Sequence, residues 1–247
     1  MARYFLKLSF CGEKYNGWQS QPHLGTKCVQ STIEQALEVY LRQKIQITGC
    51  GRTDTGVHAI DYYAHFDFIG DLVKNSFLFR LNKILPGDIA IHDIIQVHDD
   101  AHARFDATSR SYHYFLHTIK SAFSPHSFYY IYGIPDLDRL NEVANELMKF
   151  NDFTTFCKVN TDVSTMICRI YESKWVKEKD QFIYKITADR FLRGMIRLIV
   201  GMTLNVTRGK LTLEEVKHAL GQKMRTGHDW SVPADGLFLC NVKYPYL

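Results

Sequence analysis

The first stretch of the chain with a regular hydrophobic pattern is Tyr4-Phe5-Leu6-Lys7-Leu8-Ser9-Phe10. Apolar side chains at every second position share one face of an extended backbone, which is the period of a half-buried strand. From Val29 to Leu41 the apolar residues recur at helical spacing instead, which predicts a helix over residues 28–42. The chain therefore begins with a strand, a loop and an amphipathic helix.

The remainder of the first half alternates strands and helices in the same way. Strands are predicted on both sides of residues 51–58, and another strand begins at Ile89. A second helix is predicted after Asn75, because asparagine is a favourable N-cap, and Pro86-Gly87 ends it.

The second half repeats this order of elements. The predicted elements are a strand at Tyr112, Tyr114 and Leu116, a helix after Pro135-Asp136, strands near residues 169–176 and 182–188, a helix from Phe191 towards Val206, a helix at Thr212 and a last strand over residues 237–242. Thr212-Leu213-Glu214-Glu215 has the pattern of a capping box. Strands interleaved with two helices in each half predict an α+β fold, with helices on one face of a sheet.

Composition is that of an ordinary globular protein. The 247 residues are 46% hydrophobic and carry a net charge of +4, which is too mild to establish nucleic-acid binding by itself. The six cysteines form no close pair of the zinc or redox kind, so we expect reduced thiols and no metal site. Because the apolar segments are short and no signal peptide is recognisable, we expect no membrane segment and a cytoplasmic location.

A dense polar cluster lies in Gly51-Arg52-Thr53-Asp54-Thr55-Gly56-Val57-His58. Glycines on both sides of an arginine and an aspartate let the backbone approach a ligand closely. The alternative is an ordinary turn in which Asp54 caps backbone amides and Arg52 is solvated. Local composition alone favours the turn.

Two further segments carry aromatic or basic side chains. Tyr112 and Tyr114 share a face of their predicted strand, where they either stack on bases, with Arg104 and Arg110 near phosphates, or pack in the core. In the predicted helix, Arg190, Arg193 and Arg197 are spaced i, i+3, i+7 and so share one face. This face is either a solvated surface or a basic stripe. Arg197 precedes an apolar run, so its charge would need a carboxylate partner.

These segments, taken in order, resemble the bacterial tRNA pseudouridine synthases of the TruA type. The resemblance spans essentially the whole chain and rests on Tyr15-Asn16-Gly17-Trp18-Gln19, residues 51–59, Leu85-Pro86-Gly87-Asp88-Ile89, His102-Ala103-Arg104-Phe105, residues 110–114, residues 151–156, the helix at residues 191–201 and residues 233–239. The chain departs from the family pattern at Phe10-Cys11-Gly12, where Tyr-Asp-Gly is usual. It also departs at Asp61-Tyr62, where Gly-Gln is usual.

The resemblance implies roles for particular residues. Asp54 matches the catalytic aspartate, Arg197 the arginine paired with that carboxylate, Tyr112 the tyrosine at the uracil and Arg52 the arginine beside the aspartate. We add Arg193 as a substrate-binding residue from its place on the predicted basic face. Isomerisation of uridine needs neither a cofactor nor a metal, because no redox change or hydrolysis occurs.

The resemblance also implies an architecture and a substrate. It predicts two similar ferredoxin-like halves, residues 1–103 and 104–247, with sheets joined around a central catalytic cleft and helices on the outer faces. It further implies a homodimer with tRNA across both subunits, acting on uridines 38, 39 and 40 of the anticodon arm. Two rival functions remain open: a non-catalytic RNA-binding module, and a carboxylate-dependent hydrolase.

Overall fold

The computed structural model describes residues 1–20, 25–124, 126–157, 165–224 and 230–247. The chain forms two compact units, of which the first is Met1–Thr108 with Phe238–Leu247 and the second is Ser109–Leu237. In chain order the elements are β1 (Ala2–Phe10), α1 (Val29–Leu41), β2 (Thr48–Gly49), β3 (His58–Phe68), α2 (Lys74–Ile84), β4 (Ile89–Val97), β5 (Ser109–His117), β6 (Phe128–Tyr129), α3 (Leu137–Leu147), β7 (Ile170–Glu178), β8 (Gln181–Ala188), α4 (Met195–Thr207), α5 (Leu213–Gly221) and β9 (Leu237–Lys243).

The first unit contains a mixed sheet. Its strand order is β4-β1-β3-β9, with β2 paired to β3, and only the short β3–β9 pairing is parallel. Helix α2 packs against β4 and contacts α1. The buried positions of α1, such as Val29, Ile33 and Leu37, recur at the predicted helical spacing, so the amphipathic pattern identified the face that enters the core.

The first strand differs from its predicted burial. The apolar residues predicted to share one face, Tyr4, Leu6, Leu8 and Phe10, are all buried, and Phe5 between them is fully buried as well. The ring of Tyr244 from the C-terminal segment lies edge-on at 5.3 Å, and that of His65 lies at 6.0 Å. The predicted buried face is therefore present, and distant segments also cover the strand's second face at Phe5.

The second unit has an antiparallel sheet with order β5-β8-β7 and β6 added parallel to β5. Helix α3 packs against β7 and α4. The N-cap of α3 is Asp136, which accepts hydrogen bonds from the backbone of Asp138 and Arg139. At α5 the predicted capping box of Thr212 and Glu215 is present. Both caps are local interactions, which is why the pattern alone found them.

Two helix starts differ from prediction. Helix α2 begins at Lys74 with Val73 as its N-cap, so the assignment of Asn75 as the cap was wrong. Helix α4 begins at Met195 rather than near Phe191, because Gly194 has a φ of 71° and this left-handed conformation cannot continue a helix backwards. Arg190 and Arg193 therefore precede the helix, and the prediction of a three-arginine helical face was wrong.

The α+β class is confirmed: each unit combines a sheet with packed helices. The ferredoxin-like character of two halves, and their bounds at residues 1–103 and 104–247, stay predictions. None of the described helices is long and apolar enough to cross a bilayer.

His65 couples the stability of the first unit to pH. It lies on β3, is 7% exposed, and its Nδ1 accepts a hydrogen bond from the Ala103 N–H at 3.1 Å. Burial lowers the pKa of His65 to about 4, with further lowering from the nearby charges of His102 and Arg3. The folded state therefore favours the neutral imidazole, and this stabilisation is complete above the unfolded pKa near 6.5 and lost as pH falls towards 4.

We expect acidification over this window to lower the free energy of unfolding, by up to about 1.4 kcal/mol per pH unit for this one proton. His65→Gln removes the titrating group and should make the pH dependence shallower, whatever its effect on absolute stability. His92→Gln alters an exposed histidine of β4 and serves as the control. Urea unfolding at several pH values measures all three slopes, and equal slopes would contradict the assignment.

Candidate active site

The loop at residues 51–57 is held by backbone contacts from the segment that follows β1. A side chain at Gly12 would overlap the Val57 carbonyl, and one at Gly17 would overlap the Thr53 carbonyl. Gly17 also has a φ of 81°, which favours glycine. The N–H of Gly56 points to the Tyr15 carbonyl at 3.4 Å. The loop around Asp54 is therefore fixed mainly through main-chain atoms.

A third sequence block braces this supporting segment. The buried Tyr15 hydroxyl donates to Asp88 Oδ1 at 2.6 Å, and the Cys11 N–H donates to the Asp88 carbonyl at 2.9 Å. Burial and the hydrogen bond to Asp88 raise the pKa of Tyr15, so the phenol stays neutral as a donor. Residues 85–89 thus support the Asp54 loop through residues 11–17. The Cys11 departure leaves this backbone bond intact.

The second departure from the family pattern anchors the start of the loop. Tyr62 is fully buried and stacks on Trp18 with ring centroids 4.1 Å apart. Its hydroxyl donates to the Gly51 carbonyl at 2.5 Å. Gly49 lies against both rings, where a side chain would collide with them. Tyr62 therefore joins β3 to the first residue of the loop. The neighbouring Asp61 forms an ion pair with Lys7 at 3.2 Å.

Asp54 and Arg52 lie in this loop of the first unit. Asp54 is half-buried, and its backbone carbonyl accepts from the Val57 N–H at 3.2 Å, so residues 54–57 form a turn. Arg52 is exposed, and in the part of the chain that the structure describes its guanidinium forms no ion pair. A turn geometry and a catalytic role for Asp54 are therefore compatible.

The two tyrosines of β5 have different surroundings. Tyr114 is fully buried and its hydroxyl donates to the Pro233 carbonyl at 2.9 Å. Burial raises the pKa of Tyr114, and the charge of Arg197 opposes this shift. Tyr112 is half-buried and contacts the Phe191 ring edge-to-face at 5.2 Å. The core interpretation holds for Tyr114, whereas Tyr112 keeps surface for a ligand.

Arg197 and Arg193 also lie in the second unit but in different surroundings. Arg197 is half-buried in the first turns of α4, and its Nε donates to the Val232 carbonyl at 2.7 Å. Arg193 is exposed in the turn before that helix. The pairing of Arg197 with Asp54 and the RNA contact of Arg193 stay predictions.

Sequence reasoning did not assign the residues that hold the loop. Tyr15, Trp18 and Asp88 lie within motifs that carry the resemblance, and Gly12 ends the first departure from it. Nothing in their local pattern indicates that residues 11–18 contact residues 51–57 or that Asp88 braces residues 11–15. For Tyr62 the sequence shows only a departure from the family pattern. Long-range contacts of this kind leave no periodic signal in one sequence.

Comparison with known proteins identifies the class. Residues 144–245 match the family model described as tRNA pseudouridine synthase. A protein of Bacteroides thetaiotaomicron is 44% identical over 99% of this chain and 91% of its own length, and one of Bacillus subtilis is 36% identical over 96% and 97%. Both are named tRNA pseudouridine synthase A. The chain belongs to the tRNA pseudouridine synthase A family, and the resemblance seen in the sequence is confirmed.

Tyr62→Phe should lower stability while keeping the ring stack on Trp18. The change leaves the Gly51 carbonyl without its phenol donor, which we expect to cost about 1–3 kcal/mol and to lower Tm by several degrees. Tyr4→Phe, at a buried tyrosine stacked on Phe66, is the matched control and should change Tm little. Thermal unfolding followed by circular dichroism compares them. The same Tm for both variants would refute an anchoring role for the Tyr62 hydroxyl.

Proposed function

We propose that the protein isomerises uridine to pseudouridine in tRNA, at positions 38, 39 and 40 of the anticodon stem-loop, with Asp54 acting on a flipped-out uridine. The observation that carries the proposal is the support of the Asp54 loop by residues 11–18, which Asp88 braces in turn. The chain is similar over nearly its full length to proteins named tRNA pseudouridine synthase A. Main-chain support of this kind suits a loop that must hold one carboxylate in place.

The reaction breaks the N1–C1′ glycosidic bond, turns the uracil and forms a C5–C1′ bond, while the proton lost from C5 is balanced by one gained at N1. An ionised carboxylate contributes either as a nucleophile or as a base towards the sugar, and both routes for Asp54 remain open. Neither consumes water or changes oxidation state. No cofactor or metal is therefore required by the chemistry.

Other residues take supporting roles. Tyr112, half-buried against Phe191, would stack on the detached uracil and assist proton removal from C5. The Arg197 Nε donates to the Val232 carbonyl, and the family resemblance gives this arginine the role of pairing with the catalytic carboxylate.

A uridine in a folded arm must leave the base stack before it can react. We assign the exposed Arg52 to the space that the base vacates or to the adjacent backbone. The exposed Arg193 would contact the RNA outside the reacting base.

A wider arrangement follows from the family. It consists of two ferredoxin-like halves, residues 1–103 and 104–247, around a central cleft, in a cytoplasmic homodimer that binds tRNA across both subunits. The exposed apolar side chains of Ile131, Tyr132 and Ile134 lie within four residues of one another in the sequence, and a homodimer would cover them.

Asp54→Asn should abolish pseudouridine formation, because an amide can neither attack nor accept a proton as a carboxylate does. Affinity for tRNA should stay within roughly threefold, since phosphate contacts dominate binding. Asp71→Asn, at an exposed aspartate of the first unit, should retain wild-type turnover. Pseudouridine mapping in tRNA from a strain lacking the gene, with each variant supplied, measures activity at positions 38–40.

The outcomes separate the rival functions. Full turnover by Asp54→Asn would remove Asp54 from the chemistry. Absence of pseudouridine formation by the wild-type protein, with tRNA binding retained, would favour a non-catalytic RNA-binding module. Release of free uracil by the wild-type protein would favour a hydrolase.

A further inference from the structure

A cavity of about 140 Å³ lies in the first unit beside the start of the Asp54 loop. A single water needs roughly 10–15 Å³ measured in the same way, so the cavity admits a group of several heavy atoms. Its lining includes Trp18, Gln19, Thr48, Gly51, Arg52 and Arg104. Arg52 and Arg104 are 52 positions apart in sequence, and the fold of one unit brings both to the same cavity.

The lining has the charge pattern of an anion site. It contains two arginines, and none of the described lining residues is acidic. Gln19 and Thr48 add neutral polar side chains. Planar guanidinium groups present paired N–H donors that match the oxygens of a phosphate, and two of them favour a phosphate over a neutral ligand.

One wall of the cavity is held rigid by its own hydrogen bonds. The Gln30 side chain donates to the Ile47 carbonyl at 3.1 Å and to Glu34 Oε1 at 3.0 Å, and it accepts from the Ser20 N–H at 3.1 Å. Glu34 in turn accepts from the Ile47 N–H. The Gln30 side chain and the Ile47 backbone are thus bonded within the wall, and the cationic groups of the lining are those of Arg52 and Arg104.

Two features favour RNA over a free anion as the source of the phosphate. Arg52 precedes Asp54 by two residues, so their Cα atoms are at most about 7 Å apart along the backbone. A phosphate held by Arg52 is therefore close to the reacting nucleoside. Phe105 is 74% exposed and its ring centroid lies 5.6 Å from the Arg104 guanidinium. An exposed aromatic ring beside a cation suits a base next to its phosphate.

We propose that this cavity binds a phosphodiester group of the RNA strand that carries the target uridine, with Arg52 and Arg104 as its cationic ligands. The proposal rests on the proposed function for the identity of the RNA. It assigns Arg104 a binding role and gives Arg52 a phosphate contact.

The first test is the salt dependence of binding to an anticodon stem-loop RNA. Arg104→Ala should weaken binding about tenfold at low salt and flatten the slope of log affinity against log salt by about one unit. Arg104→Lys keeps the charge and should keep most of the slope. Arg80→Ala, at an exposed arginine of α2 in the same unit, should change neither quantity. A wild-type slope for Arg104→Ala would overturn the proposal.

The second test identifies the phosphate. Single neutral methylphosphonate linkages are placed in turn on both sides of the target uridine, and affinity is measured for the wild type and for Arg104→Ala. We expect that a methylphosphonate at one linkage weakens wild-type binding but has little further effect on Arg104→Ala. The neutral linkage and the substitution each remove the same contact between the arginine and the phosphate. Additive losses at every linkage would overturn the proposal. Displacement of RNA by millimolar inorganic phosphate from the wild type but not from the variant would also overturn the proposal, in favour of a small-anion site.

Pseudouridine formation by the wild-type protein on the unmodified RNA is measured alongside. An inactive wild type with a shared linkage effect would refute the proposed function while keeping the phosphate site. An active wild type with additive losses would refute the phosphate site while keeping the proposed function.

Discussion

The close approach of two main-chain segments is the constraint on which the first unit depends. Gly12 and Gly17 lie against the carbonyl groups of Val57 and Thr53, at distances that leave no room for a side chain. The loop is held by these backbone approaches and by the Tyr62 hydroxyl at the Gly51 carbonyl. A loop fixed in this way holds a catalytic group in one position, which is what preorganisation of an active site requires.

At the two positions where the chain departs from the family pattern, its own residues contribute to the support of the Asp54 loop. At Tyr62 a phenol reaches the Gly51 carbonyl, and its ring stacks on Trp18. The larger residue needs space, and Gly49 provides it by lacking a side chain. At Cys11 the thiol has no part in the bond to Asp88, which the backbone N–H makes. The loop is therefore supported in this chain although the usual tyrosine, aspartate and glutamine are absent from these positions.

The sequence predicted what local physics determines. Helices α1, α3 and α5 were recognised because amphipathic spacing and caps such as Asp136 and Thr212 act within a few residues. The start of α4 was missed because periodicity does not reveal the left-handed backbone of Gly194. That error created the supposed arginine face. For Tyr112 and Tyr114, alternation gave a shared side of the strand but not burial, which depends on residues more than a hundred positions away, such as Pro233.

The mild net charge is compatible with a polyanionic substrate because charges act locally in salt. At physiological ionic strength the screening length is about 8 Å, so acidic residues elsewhere on the surface contribute little to a phosphate bound at one point. The charges that line the binding point itself therefore act most strongly on the phosphate. The cavity beside residues 51–52 collects two arginines without an acidic lining residue among those described, although the chain has 26 acidic residues against 30 lysines and arginines. Net charge is a sum over the whole chain and does not show such local differences. Folding decides which charges lie together, and therefore how strongly this surface attracts RNA.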